Sequence, residues 1–128
     1  MPRTITLRFP WFPRELSPNI SSHHMKKGRA VKNYRDQCGW EARFSPSALQ
    51  HPAHRMLASP VLATTTFHVD TKRRYDLDNL MASLKPMWDG LVDAGILQDD
   101  STEHLRHAES KLVVGKEKYV EVILTEMP

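Results

Sequence analysis

The sequence lacks any long hydrophobic run, and this absence excludes a membrane-spanning helix. Its longest apolar stretches, such as 61–63 and 120–124, are far shorter than the roughly 18 consecutive apolar residues that a spanning helix needs. The first eight residues also lack the continuous apolar core of a signal peptide. We therefore expect a protein that is neither anchored in a membrane nor exported.

Cysteine is nearly absent as well, which excludes an internal disulfide. Cys38 is the single cysteine, and together with the missing signal peptide it favours a reducing, cytoplasmic setting. The seven histidines have no cysteines at the spacing of a zinc finger, so we do not predict structural zinc. No pattern of an acidic partner or an oxyanion hole supports a cysteine nucleophile either.

What the chain does have is a basic body with a concentrated acidic spot. Its 128 residues suit one domain with one core. Four of its 15 acidic residues are Asp76, Asp78, Asp99 and Asp100, and the rest of the chain has 18 basic residues against 11 acidic ones. This balance suits a protein that binds a polyanion and holds a cation against it, although an ordinary mixed surface would give the same count.

Alternating and β-branched stretches predict the strands. Thr4 to Phe9 alternates polar and apolar residues, and Val61 to Val69 is rich in β-branched and aromatic residues typical of a central strand. Ser110 to Val114 and Lys118 to Thr125, on either side of Gly115, predict a β-hairpin.

The segments between these strands contain two predicted helices. Glu15 to Gly28 is polar and irregular and predicts a long loop, whereas Arg29 to Phe44 repeats apolar residues at helical spacing. Ser47 to Pro60 predicts a connector. A second apolar stripe from Leu80 to Val92 predicts a helix capped by Asp78 or Asn79 and ended by Gly95. Because Pro86 lies inside this stripe, we expect a kink or two short helical pieces.

The acidic residues fall at the two ends of this second helix. Asp76 and Asp78 precede it, and the pair Asp99 and Asp100 follows it, so that an antiparallel return of the chain would bring the two pairs together. Carboxylates that close repel one another unless a cation neutralises them, and ligation by oxygen alone favours Mg²⁺, with Mn²⁺ as a substitute. The alternative is that these aspartates only cap helices.

An ordered series of motifs resembles the core signature of the RusA-type Holliday-junction resolvases. The series comprises Arg73 to Leu80, Lys85, Trp88 to Leu91, Ala94 to Ile96, and Asp99 to Ser101. The resemblance implies a small mixed-sheet α/β (α+β) domain packed by helices, which assembles as a homodimer. It also implies a magnesium-dependent endonuclease that resolves four-way junctions by paired symmetric nicks in DNA recombination and repair.

The resemblance assigns roles to particular residues. It implies that Asp76, Asp78 and Asp100 are the metal-binding catalytic carboxylates, with Asp99 assisting or capping. Shorter family members place a lysine four residues after the second aspartate, where this chain has Ala82. Counting back from Asp89 makes Lys85 the equivalent residue, which would lie about 10 Å further along the helix. We expect Lys85 to contact the scissile phosphate, the alternative being a surface ion pair with Asp89.

Two basic clusters are predicted to contact DNA phosphates, although each could also be a solvated surface. They are Lys72, Arg73 and Arg74, and Lys26, Lys27 and Arg29. Trp11, Trp40 and Trp88 are predicted to lie in the core or a dimer interface rather than to stack on bases, Trp88 being the best interface candidate. Two other functions remain open, namely a branched-DNA binding module with weak or lost catalysis and a nuclease for other branched DNA.

Overall fold

The computed structural model of the chain describes residues 2–18, 24–49 and 56–128. Over these residues the strands form one mixed sheet of five strands, and helices pack against it. The predicted α+β class is therefore confirmed. No helix in the described parts of the chain is long and apolar enough to cross a membrane.

The sheet is built around β2 (Val61–Val69), which has the predicted bounds. β5 (Tyr119–Glu126) runs antiparallel to β2, and β1 (Thr4–Pro10) runs antiparallel to β5. On its other side β2 pairs in parallel with β3 (Leu105–His107) and then with β4 (Lys111–Val114). β4 and β5 are therefore strands, as predicted, but the predicted hairpin between them is wrong, because β2 lies between them. β3 was not predicted.

The predicted alternation decides which face of the sheet is buried. On β1, Ile5, Leu7 and Phe9 are buried while the residues between them are exposed, and on β2 and β5 buried residues alternate with partly buried ones. Side chains alternate across a strand, so the three strands direct one apolar face to the helices. The two faces of the sheet thus differ sharply in burial.

The helices of the described residues depart from the predicted bounds mainly at their starts. They are a 3-10 helix at Arg14–Leu16, α1 (His24–Arg43), α2 (Pro46–Leu49), α3 (Leu77–Ala82) and α4 (Lys85–Asp93). The predicted loop from Glu15 to Gly28 is wrong at both ends, since α1 begins five residues earlier than predicted. The first turn of α1 is solvent-exposed and has no apolar stripe to reveal it. Part of this loop and part of the predicted connector, residues 19–23 and 50–55, lie outside the described residues.

Pro86 divides the second predicted helix into two pieces, as expected. α3 ends at Ala82, and α4 begins at Lys85 with Pro86 in its first turn, where the missing backbone donor costs no helical hydrogen bond. Asp76 is the N-cap of α3, so the predicted caps, Asp78 and Asn79, lie two and three residues too late.

α1 and α4 pack so closely that their backbones are in contact. A Cβ atom added at Gly90 would lie 2.5 Å from the carbonyl oxygen of Arg35 and 2.9 Å from the amide nitrogen of Gly39. Beside this contact the Arg35 guanidinium donates two hydrogen bonds, of 2.6 and 2.8 Å, to the Asp93 carboxylate, and it holds the pKa of Asp93 below its usual range. The close approach positions the start of α4, where the candidate site lies.

Cys38 lies in this helical layer and is fully buried. Burial raises the pKa of its thiol to about 12, so the thiol is protonated at neutral pH. Its neighbour Tyr34 is also buried and donates a 2.7 Å hydrogen bond to the carbonyl of Pro10. The hydrogen bond of Tyr34 joins α1 to the end of β1.

Candidate active site

An exposed basic loop leaves the end of β2 and leads to α3. Lys72, Arg73 and Arg74 are all exposed in this loop, and the Arg73 guanidinium lies 4.8 Å from the centre of the Tyr75 ring. The pKa of Tyr75 is lowered by its hydrogen bond with Thr71 and, to a smaller extent, by Arg73 and Lys118. The loop therefore presents positive charge directly before the acidic turn.

Asp76 uses its carboxylate to begin α3. Its Oδ1 accepts hydrogen bonds from the backbone amides of Asp78, at 3.0 Å, and Asn79, at 3.4 Å. The Asn79 side-chain amide donates to Oδ2 at 3.4 Å. The capping alternative is thus realised for Asp76, although its side chain stays exposed and borders a cleft of about 600 Å³ with Arg74 and Tyr75.

Asp78 and Asp99 are both exposed. Asp78 lies in the first turn of α3, where a negative charge interacts favourably with the helix N-terminus. Asp99 lies in the turn that follows α4, and no helix follows it within the described residues from 101 to 128. Neither Asp99 nor Asp100 is therefore a helix cap.

The structure joins Lys85 to Asp100, two residues that the sequence placed in one site without predicting their contact. The Lys85 ammonium donates a 2.9 Å hydrogen bond to Asp89 Oδ1 and forms an ion pair with Asp100 Oδ2. Asp89 was part of the resolvase-like motif and was considered as the surface partner of Lys85, but it was not predicted to belong to the site, and the structure makes it the third member of this cluster. Its spacing of four from Lys85 was the sequence signal for their contact.

The charges of Lys85 and Asp100 stabilise each other. Hydrogen bonds from Lys85 lower the pKa of Asp100, and those to Asp100 and Asp89 raise the pKa of Lys85. The pair therefore stabilises the fold above the unfolded pKa of aspartate, about 3.9, and below that of lysine, about 10.4. This contribution is lost as pH falls through the folded pKa of Asp100 or rises through that of Lys85.

The position of Lys85 is unfavourable without these carboxylates. Lys85 is the first residue of α4, and a cation at a helix N-terminus opposes the helix dipole. Asp89 and Asp100 offset that repulsion.

The predicted metal ligands do not form a metal site in this arrangement. Within residues 2–18, 24–49 and 56–128 no group of three or more His, Cys, Asp and Glu side chains is placed so that it could hold a metal ion. The oxygen donors suit a hard divalent ion chemically, but the Asp76 carboxylate caps a helix and the Asp100 carboxylate is neutralised by Lys85. The ammonium of Lys85 is the cation that this acidic region holds.

The second basic cluster lies on the first turns of α1 rather than in a loop. Lys26 and Arg29 are exposed, and the ammonium of Lys26 lies 3.7 Å from Glu15 Oε1. Lys27 borders a groove that Lys85 and Asp89 also line. This cluster and the Lys85 cluster are therefore neighbours.

The tryptophans divide between core and surface. Trp88 is 5% exposed and its ring meets His107 edge to face, so its selection as the best interface residue is wrong. Trp40 is 63% exposed and so does not lie in the core, and its place in a dimer interface stays a prediction.

Comparison with known proteins assigns no family to this chain. No family model matches the chain. An uncharacterised protein of Xylella fastidiosa (strain Temecula1) is 33% identical over 90 residues, which is 70% of this chain and 56% of that protein. The chain thus spans little more than half the length of this relative.

Proposed function

We propose that this protein is a magnesium-dependent endodeoxyribonuclease of the RusA type that resolves four-way DNA junctions. The observation that carries the proposal is the exposed segment from Lys72 to Asp78, in which three cations directly precede two carboxylates. Cations hold the phosphate backbone, and carboxylates recruit the ion that hydrolysis needs. The cluster of Lys85, Asp89 and Asp100 adds a second charged group at the start of the next helix.

Asp76, Asp78 and Asp100 would hold the magnesium ion, with Asp99 beside them. A bound Mg²⁺ supplies an activated water and neutralises charge that develops on the leaving oxygen. Because these carboxylates are not assembled around an ion, binding requires the Lys85 ammonium to leave Asp100. A released Lys85 is then free to contact the scissile phosphate.

This exchange of cations predicts that Lys85→Met lowers two kinetic parameters for different reasons. The maximal cleavage rate falls roughly ten- to hundredfold, since a charge-assisted contact contributes about 1.5–3 kcal/mol. The Mg²⁺ concentration for half-maximal cleavage also falls, because no ammonium competes for Asp100. Cleavage measured across a magnesium titration separates the two effects.

Lys32→Met is the matched control for Lys85→Met. Lys32 forms the same type of exposed ion pair, 3.2 Å from Asp36 four residues later on α1. Its loss leaves both parameters unchanged. Unchanged parameters in Lys85→Met as well would mean that Lys85 is only a surface ion-pair residue.

Two symmetric nicks require two sites, and we propose that a homodimer provides them. The surface that favours this assembly is β4, which pairs with β2 and exposes Leu112, Val113 and Val114. An exposed apolar edge strand readily pairs with another chain. A second copy joined at β4 would extend the sheet across a two-fold axis.

A panel of labelled DNA substrates tests the function and the assembly together. We expect cleavage of a four-way junction in Mg²⁺ and none in EDTA, with flaps, forks and duplexes cut more slowly. A plasmid that extrudes a cruciform should become linear in one binding event, and light scattering should give about twice the 14.8 kDa chain mass. Faster cutting of flaps would identify a nuclease for other branched DNA, and a monomer would exclude the dimer.

The ion pairs of Lys85 with Asp89 and Asp100 favour a second candidate function, a branched-DNA binding module without catalysis. Asp100 already has its counter-ion, and the described residues contain no group of three metal ligands. Tight junction binding with no cutting in Mg²⁺ or Mn²⁺ would support this candidate over the nuclease.

A further inference from the structure

Two aromatic side chains lie exposed and side by side on α1. Trp40 is 63% exposed and Phe44 is 50% exposed, and their ring centres are 4.5 Å apart. The buried stripe of the same helix comprises Tyr34, Cys38 and Ala42. Large aromatic rings contribute most when they are buried, so an exposed pair on a helix with a complete core stripe indicates a binding surface.

The aromatic pair borders a groove of about 690 Å³ between α1 and the strands β1 and β5. The strands contribute Arg8 and Tyr119, and the Arg8 guanidinium lies 3.6 Å from the centre of the Tyr119 ring. The other face of Tyr119 stacks on His68, with 4.2 Å between ring centres and 8° between planes. The groove therefore has ordered aromatic groups on both the helix side and the strand side.

The charge of the groove is mainly positive. Arg8 and Lys118 line it, and Glu41 is the only carboxylate in the lining described for it. Arg8 also forms an ion pair with the exposed Glu117, a contact that phosphate can replace. The Lys118 ammonium lies 4.6 Å from the centre of the Trp11 ring.

We propose that this groove binds single-stranded DNA, with bases stacked on Trp40 and Phe44 and phosphates held by Arg8 and Lys118. Basic grooves lined by aromatic rings bind single strands, because every base has a face that can stack. Bases inside a duplex are already stacked and cannot reach these rings. The choice of DNA as the ligand rests on the proposed function, and the strand would be the unpaired nucleotides at a branch.

Tryptophan fluorescence tests the proposal with a short oligothymidylate as the probe. Trp40 is the most exposed of the three tryptophans, so a stacked base should quench the emission of the wild-type protein in a saturable way. Trp40→Leu should lose this quenching and bind a labelled oligothymidylate roughly tenfold more weakly by anisotropy. Circular dichroism confirms that the variant is folded.

Charge variants give an independent measurement. Lys118→Gln should weaken binding and reduce the slope of log affinity against log salt by about one, as expected for one lost phosphate contact. Lys32→Gln removes a cation of α1 that lies outside the groove, and it should change neither the affinity nor the salt slope. Equal effects of the two variants would show that the affinity is a general property of the basic surface.

The outcomes separate this site from the nuclease. Quenching by the oligothymidylate without cleavage of any branched substrate would support single-strand binding in the groove and exclude the nuclease function. Junction cleavage together with unchanged oligothymidylate binding by Trp40→Leu would support the nuclease function and overturn single-strand binding in the groove. A lower solution mass for Trp40→Leu, with unchanged DNA binding, would show that a second copy of the chain covers Trp40 and would also overturn it.

Discussion

Under the proposed function, we expect cleavage of a four-way junction to fall at least about a hundredfold when Asp78 is replaced by asparagine, because the variant would lose a carboxylate ligand of the catalytic ion. The side chain of Asp78 is exposed and forms no hydrogen bond or ion pair with the described residues, so its loss should leave the fold intact. Gel assays of labelled junctions in Mg²⁺ measure the rate, and a binding assay in Ca²⁺ shows whether junction affinity is retained. Full magnesium-dependent cutting by Asp78→Asn would remove Asp78 from the mechanism.

Asp76 provides a control that separates charge from capping. Asparagine is as good an N-cap as aspartate, so Asp76→Asn should keep the stability of α3 and still lose cleavage. Asp76→Ala also loses the cap and should cost about 1 kcal/mol of unfolding free energy. If Asp76→Asn cuts normally, the Asp76 carboxylate is only a helix cap.

Gly90→Ala is expected to lower the free energy of unfolding by about 3 kcal/mol, a large share of the stability of a domain this size. The added methyl group would lie 2.5 Å from the Arg35 carbonyl oxygen, and backbone atoms on that side cannot rotate away as a side chain would. α1 and α4 must separate to admit it, which disturbs their whole interface. Thermal unfolding should show a melting temperature lower by roughly 10 °C.

Gly28→Ala is the matched control, since Gly28 also lies within a helix and a Cβ atom there meets nothing within 4 Å. This substitution should raise stability by about 0.5–1 kcal/mol through the better helix propensity of alanine. The same melting temperature for Gly90→Ala and the wild-type protein would contradict the backbone contact between α1 and α4.

The strands show how much of the fold local patterns predict. Alternation located β1 and the buried face of β5, and β-branched composition located β2 with its observed bounds. The same patterns did not predict which strands pair. β4 and β5 are close in sequence, which suggested a hairpin, but β4 pairs with the far side of β2. Pairing depends on distant strands, and no local pattern encodes it.

The helices show the same division between local signal and tertiary contact. The break before Pro86 followed from the chemistry of proline, which acts within one helical turn. The start of α1 did not follow, because its first residues are polar and exposed and have no apolar period. Gly90 was part of the resemblance to the resolvases, and only the packing of α1 on α4 explains why a glycine is required there.

By itself the sequence located the charged segments of the candidate site, because charge and residue type are local properties. It identified Asp76, Asp78, Asp100 and Lys85 as the candidate catalytic residues. Only the tertiary structure decided how these groups are used. It makes Asp76 a helix cap and pairs Lys85 with Asp100 in place of an assembled metal site, because Asp100 is 15 residues from Lys85 and meets it only through the turn after α4.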